Sequence, residues 1–398
     1  MGELSCELPD ELMRKILVKV SAESLVRFKW VSKSWHGFIT DPSFAYNHLV
    51  HHNNDTVLSS TSILLSWFSV DFAGHNKIKP ILSLFSNPEA VYPTDFLNLF
   101  HSITDFFDHL PRTYYWDEMY DYYRTYHCNG IICIAQNYMD KGKSVLINPV
   151  IRETRILPES TIPLRHILKT HGEGFGYDLN ANDFKLVRIF GRNRNFKCFA
   201  ELYSMNSDSW KRIKIDVKLD DTCFHHGKGV LCKGVFYWLM MLLTPFPDFE
   251  YQTILSFDMS NEEFHSMPLP VDAMRNGDFM FDKREKCLVE WNKSVAMLVV
   301  DEYKENLPCY IQMFVMDDYN GGEYSWTTHP TIGPLETYHF PLIFSSTDEL
   351  IMVNSDKGVV SYNLKTQTLR GLPLPEVDMG TCLSNFYVKS LISVEKRD

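Results

Sequence analysis

No stretch of about eighteen consecutive apolar residues interrupts the sequence, so nothing in it reads as a membrane-spanning helix. There is no C-x-x-C pair either. Nine cysteines lie scattered along 398 residues, an odd number that argues against a disulfide framework. The opening Met1-Gly2-Glu3-Leu4 lacks the basic and apolar regions of a secretory leader. Cys6 stands where an N-acylation pattern starting at Gly2 wants Ser or Thr, so a free tail is expected. The thiols then read as reduced and mostly buried, and the sequons Asn54-Asp55-Thr56 and Asn292-Lys293-Ser294 as silent. The expected compartment is the cytoplasm, with the nucleus as a second location. Glycine and proline, at 19 each, are too few for a low-complexity chain. Basic side chains are in deficit: 39 against 50 acidic ones leave a net charge of −11. That balance opposes wholesale binding to nucleic-acid phosphates or an anionic membrane. It suits a cationic protein partner. Hydrophobic residues, at 45%, suffice for a sizeable core, and the length fits two or three domains or a small domain beside a large β domain.

What is present divides in two. In the first fifty residues Leu12, Ile16, Leu17 and Val20 recur at helical spacing after Pro9, which suits a first helical turn. Ser21 and Ser24 can cap a second short helix carrying Leu25 and Phe28. Val31, Trp35, Phe38 and Ile39 form a third stripe, which Asp41-Pro42 is expected to stop. Three short helices cannot bury all of these side chains among themselves. Some of that surface should dock on another protein, or the helices should cap the rest of the chain.

These residues, in order, resemble a plant F-box: Leu8-Pro9-Asp10-Glu11-Leu12, Ile16-Leu17, Ser24-Leu25-Val26-Arg27-Phe28, Val31-Ser32-Lys33-Ser34-Trp35 and Asp41-Pro42-Ser43-Phe44. Val20-Ser21-Ala22 departs from the family's usual Leu-Pro. The resemblance implies docking to a Skp-type adaptor in a cullin-based ubiquitin ligase. It also implies an interface from Leu8, Pro9, Leu12, Ile16, Leu17, Leu25, Phe28, Val31 and Trp35, by apolar helix-in-groove recognition.

Beyond about residue 52 the helical spacing fades and a repeat takes over. Its unit is an apolar strand, a polar turn and a return strand that often ends in proline. Asn148, Tyr203, Phe257, Phe314 and Tyr362 mark successive copies at intervals of 55, 54, 57 and 48. A period near fifty built from strands predicts a β-propeller, with a distorted sandwich as the alternative. Dividing residues 56–398 by the period gives six to seven blades, the first of them including strands at Ser62–Trp67 and Ile78–Phe85. The fold expected is thus α+β in two parts, a small all-α domain at 1–50 and an all-β propeller-like domain at 51–398.

Cys128-Asn129-Gly130-Ile131, Gly174-Phe175-Gly176-Tyr177-Asp178 and Tyr203-Ser204-Met205-Asn206 through Trp210 are similar to the plant F-box-associated domain. The closing Phe386-Tyr387-Val388-Lys389-Ser390-Leu391 most resembles the S-locus F-box group of pollen self-incompatibility. That resemblance implies a substrate-recognition subunit that marks non-self S-ribonucleases, secreted and typically basic proteins, for degradation. It implies no catalytic residue and no cofactor, because the thioester chemistry belongs to the ligase partners.

The chemistry-bearing residues agree with that reading. Gly172-Glu173-Gly174-Phe175-Gly176 has Tyr177 in place of a third phosphate-loop glycine, and glycines at a positive-φ blade turn explain it better. The adjacent pairs His51-His52 and His225-His226 diverge on either kind of element and do not compose a metal site. Cys128 and Cys133 carry no thiolate-activating signature. Asp220-Asp221 and Asp317-Asp318 read as turn charges. One segment invites a binding role: residues 106–126 hold nine aromatics. Within it Tyr114, Tyr115, Trp116, Asp117, Glu118, Tyr120 and Asp121 are the candidate substrate contacts, aromatic hot spots among acids that complement a basic partner. A blade edge with its aromatics inward is the other explanation. Thr244–Tyr251 is a shorter loop of the same character. Residues 1–50 carry six basic and six acidic side chains, so the whole −11 (33 minus 44) lies on the propeller side. The competing readings are an adaptor for some other plant protein, a decoy that docks without delivering substrate, and a propeller enzyme with bound metal or cofactor.

Overall fold

The structure is a computed structural model that describes residues 9–54, 62–71, 77–85, 123–136, 143–160, 162, 168–192, 198–217, 223–225, 229–243, 250–273, 284–301, 307–317, 324–374 and 383–395. Four helices come first: α1 (Asp10–Leu17), α2 (Ala22–Phe28), α3 (Lys33–Thr40) and α4 (Pro42–Asn54). Asp10 and Glu11 open α1 and Arg14 and Lys15 close it, each charge placed to suit the helix dipole. The Ser21 hydroxyl accepts from Ser24 N–H to cap α2, and Ser32 accepts from Trp35 N–H at 3.2 Å to cap α3. Asp41-Pro42 ends α3 as expected, but it also begins a fourth helix that the stop reading misses. The Asp41 carboxylate accepts from Ser43 N–H at 2.9 Å, and proline at the first helical position loses no hydrogen bond. No helix among the described residues is long and apolar enough to cross a membrane.

After α4 the described elements are strands, apart from one short 3-10 turn at Val271–Ala273. β1 (Ser62–Asp71) and β2 (Lys77–Phe85) form a hairpin. Four consecutive strands follow as β3 (Tyr123–Cys128), β4 (Ile131–Gln136), β5 (Ser144–Asn148) and β6 (Glu153–Ile156), then β7 (Leu168–Asp178), β8 (Asp183–Arg192), β9 (Phe199–Ser204) and β10 (Ser209–Ile213). The third such sheet has five strands: β11 (Cys223–His225), β12 (Val230–Cys232), β13 (Val235–Leu243), β14 (Glu250–Asp258) and β15 (Glu263–Pro268). Two more contain β16 (Glu285–Trp291), β17 (Ser294–Val300), β18 (Cys309–Met316) and β19 (Trp326–Leu335), and β20 (His339–Ser346), β21 (Glu349–Asn354), β22 (Val359–Asn363) and β23 (Thr368–Gly371). β24 (Leu383–Tyr387) returns to pair antiparallel with β1, Ser62 opposite Tyr387. The all-β propeller is therefore as expected, but the blade count is not. Among the described residues five sheets carry four or more strands, fewer than the six to seven blades that length divided by period predicts. The remaining sheet, β2-β1-β24, has three strands and takes them from both ends of the domain. A count of chain length does not register that sharing.

The inner strands form a closed ring: β3 beside β7, β7 beside β13, β12 and β13 beside β16, β16 beside β20, β20 beside β24, and β24 beside β3. Contacts between neighbours put their C-terminal ends at one end of the ring. Cys232 S–H reaches Lys293 O at 3.4 Å, Trp291 N–H donates to Thr347 O at 2.9 Å, and the rings of His127 and Tyr387 lie 4.9 Å apart.

The repeat has a physical basis in its turns. Asn148, Ser204, Asp258 and Asn363 each end the third strand of a blade, and each pairs with the residue five positions on, at the start of the fourth. Their side chains accept N–H groups of the turn that follows, from Val150, Ser207, Ser260 with Asn261, and Lys365 with Thr366. All five sequence markers, from Asn148 to Tyr362, lie on third strands. Inner hairpins use two residues at positive φ, as at Asn129-Gly130 and Asn292-Lys293, which matches the strand twist.

Between blades the core is aromatic, with Trp238, Tyr203, Phe175 and Phe257 buried together. It also holds charge. Arg188 donates to Glu173 at 2.8 Å and to Ser144 Oγ of the neighbouring sheet, beneath the Trp210 ring at 4.6 Å. Burial pushes the Glu173 carboxyl above its ordinary value, against the pull of Arg188.

Candidate functional site

The helical domain has an inner and an outer side. Inward, Leu17, Ala22, Leu25, Ile39 and Phe44 make a small core that is completed by Leu391. Val150, Ile151 and Ile392 pack against it. Residues 388–395 therefore form a strap between helices and propeller. Asn148 donates to both Ser390 O (3.1 Å) and Ile392 O (2.8 Å). Glu153 accepts from Ser393 Oγ and from Val394 N–H at 3.0 Å. Lys389 pairs with Glu23 of α2; burial pushes the Glu23 carboxyl up, and the hydrogen bond and charge of Lys389 help hold it below its ordinary value. On α4, Tyr46 stacks on Tyr177 at the end of β7.

Outward, α1 exposes Leu12 and Ile16, one turn apart on the same face, at 47% and 52%. Pro9 and Val31 are exposed as well, while Phe28 and Trp35 are half-buried and meet edge to face at 5.5 Å. Leu17 and Leu25, predicted as interface, are 1% and 0% exposed: they belong to the core that supports the exposed residues. Leu8 lies outside the described residues. Trp30, 88% exposed in the turn after α2, is a residue the motif reading passed over. Its signal was a large aromatic beside Val31, outside the helical stripe.

The candidate substrate contacts Tyr114, Tyr115, Trp116, Asp117, Glu118, Tyr120 and Asp121 also lie outside the described residues, as do 244–249. β3 begins at Tyr123, at the end of the ring away from the helices. Strand alternation brings the C-terminal ends of β4, β8, β13 and β17 to that same end. Of the aromatic segment, Tyr126 is buried against Phe236, ring centres 5.8 Å apart.

Several chemical readings resolve. Gly172, Gly174 and Gly176 are neither a phosphate loop nor a positive-φ turn. They lie within β7, where a β-carbon on Gly174 would come within 2.6 Å of the Phe236 ring of the next blade. Cys128 and Cys133 are buried, and burial pushes the Cys128 thiol up to about 12. Asp317 accepts from Ser325 and Thr327 at a turn. The histidine reading missed one pair: His48 and His52 are four apart on α4, their ring centres 4.4 Å apart. His48 bonds Val20 O at 2.8 Å, and burial holds its pKa at about 4. No group of three metal-ligating side chains forms among the described residues.

Residues 91–393 match the F-box associated beta propeller domain. The chain belongs to that family. Residues 5–51 match the F-box-like domain, which covers α1 to α3 and most of α4. The F-box protein At3g08750 of Arabidopsis thaliana is 30% identical over 264 residues, 65% of this chain and 58% of that protein. The Arabidopsis F-box/kelch-repeat protein At3g23880 aligns over 97% of this chain and 95% of its own length at 25% identity. F-box protein CPR1, also of Arabidopsis, aligns over 97% and 88% at 23%. The chain thus spans just over half of the first relative and nearly all of the other two.

Proposed function

We propose that this F-box protein is a substrate-recognition subunit of a Skp-cullin-F-box ubiquitin ligase. In this reading residues 1–50 hold a Skp-type adaptor and residues 51–398 present a protein substrate, with no catalytic residue in the chain. The observation that carries it is the exposed apolar face of the helical domain. Leu12, Ile16 and Val31 face solvent on an F-box whose other side is packed on the propeller. Exposed apolar residues of this kind are the anchors of helix-in-groove docking. The adaptor and the substrate then engage different ends of the ring, and the strap at 388–395 sets the orientation between them.

The finer reading concerns the substrate. The net charge of −11 on the propeller side favours a cationic protein, which its field would steer. The S-ribonuclease implied by the S-locus resemblance is such a protein. The test is to co-express the chain with a plant Skp-type adaptor and titrate the purified pair with a panel of S-ribonucleases at two salt concentrations. Allele-selective, salt-weakened binding is the expected result. A stable adaptor complex that ignores every ribonuclease leaves the ligase role and assigns another plant protein as substrate. Failure to hold the adaptor overturns the reading as a whole.

A further inference from the structure

We propose that the cavity on the propeller axis binds an organic cation, an alkylammonium or guanidinium group on a short apolar stem, with Glu290 as its counter-ion. The inner strands of all six sheets bound this cavity of about 190 Å³, room for a group of that size. The inference stands apart from the ligase reading, because it uses none of the helical domain.

Three features of the wall select the ligand. The first is the acceptor. Glu290, on β16, lines the cavity, and its carboxylate makes no hydrogen bond or ion pair among the described residues. Burial raises its pKa, and the charge of Lys293 opposes this. A carboxylate withdrawn from water without a partner is costly, and an entering cation removes that cost. Asn385 adds a second acceptor: one amide N–H donates to Thr125 O at 3.3 Å, and its amide oxygen can accept from the ligand.

The second feature is the apolar wall. The rings of Tyr126, Phe175 and Phe236 line the cavity with Leu231 and Leu288. Aromatic faces attract a cation, and the aliphatic groups suit its stem. The third is the lack of positive charge in the described wall. Among the described residues no Lys or Arg lines the cavity. His127, which does, is held neutral: its Nε2 accepts from Gly130 N–H at 2.9 Å, and burial lowers its pKa to about 3. An anion would meet the Glu290 carboxylate with no cationic side chain of the described lining to offset the repulsion, so the wall disfavours it.

Such a cation has two sources, a free small amine or a Lys or Arg side chain of a bound protein. The full-length chain is titrated calorimetrically with n-butylammonium, n-butylguanidinium, neutral 1-butanol and butyrate. In parallel it is titrated with N-acetyl-lysine amide, and each series is repeated on Glu290→Gln. The expected result is saturable binding of the cations, at least roughly tenfold weaker 1-butanol, no butyrate binding, and a tenfold or greater loss in Glu290→Gln. Binding of the capped lysine as tightly as of butylammonium assigns the source to a protein side chain. Binding of the free amines alone assigns it to a small molecule. Equal affinity of the wild-type chain for 1-butanol and butylammonium overturns the proposal, and that comparison does not depend on the variant folding. Full retention of binding by Glu290→Gln, or no cation binding at millimolar concentration, overturns it equally.

Discussion

Gly130 and Ser390 are in direct contact, so close that a β-carbon on Gly130 would lie 2.1 Å from that of Ser390. Gly130 sits at the β3–β4 hairpin tip with φ +84°, and Ser390 belongs to the strap that completes the helical core. The tip of one blade, the C-terminal strap and the F-box thus meet at a single point.

Gly130→Ala fails there on two counts, a left-handed backbone and a clash with the strap. The expected cost is roughly 2–4 kcal/mol. It shows as a lower urea midpoint, together with faster amide exchange over 388–395. Unchanged exchange in the strap would separate it from the hairpin.

Asn148 holds the strap by two hydrogen bonds to carbonyls, at Ser390 and Ile392. Asn148→Ala leaves both oxygens without this donor and removes the turn cap at Val150 N–H. A loss of about 2–3 kcal/mol follows, with earlier proteolytic release of the helical domain than in the wild-type chain. Equal cleavage rates would show that the apolar contacts hold the strap alone.

Neighbouring residues of α1 should behave oppositely. Ile16→Glu places a charge on the exposed face and is expected to abolish adaptor co-purification with little change in melting temperature. Leu17→Ala opens a cavity in the helical core and is expected to cost about 2–5 kcal/mol. If Ile16→Glu still holds the adaptor, the docking face lies elsewhere on the helices.

Acid should destabilise the fold through its buried histidines. The folded pKa of His48 is about 4, against 6.5 for the free side chain, so the unfolded chain takes up the proton first. Stability is complete above pH 6.5 and falls as pH drops toward 4, by roughly 2 kcal/mol from this group between pH 6.5 and 5. His51 and His52 nearby lower that pKa further, while Glu23 and the bond to Val20 O oppose the shift. His127 acts in the same direction. Urea midpoints at pH 7 and pH 5 measure the slope, and His48→Gln, whose amide can still donate to Val20 O, should flatten it. A slope unchanged in that variant would assign the acid sensitivity to other groups.

The blades were legible because their turns are local. Asn148, Ser204, Asp258 and Asn363 cap turns from within their own five residues, so each leaves a mark in the sequence at blade spacing. The helix caps at Ser21 and Ser32 are local in the same way. Pro42 misled because proline both prevents helix continuation and suits a helix start. Which role holds depends on the Asp41 cap and on Phe44 finding a buried site. The glycines of β7 misled for a different reason. Gly174 is explained by Phe236, some sixty residues away, and no local pattern contains that contact.

The sequence by itself determined the two-part organisation, the helical F-box pattern, the propeller period and the side of the chain that carries the charge. All of these are written in spacing and composition, which the backbone converts directly into helix faces and strand turns. Tertiary structure alone decided which apolar residues of the F-box face inward. Leu17 and Leu25 are of the same chemical type as Leu12 and Ile16, and which of them is buried follows from the packing of Ala22, Ile39 and Phe44 together with Leu391 of the strap. It also decided the closure of the ring, where β24 meets β1 across more than three hundred residues. The Glu290 carboxylate, without a partner among the described residues, belongs here too, because a cavity on the axis exists only once all six sheets have met around it.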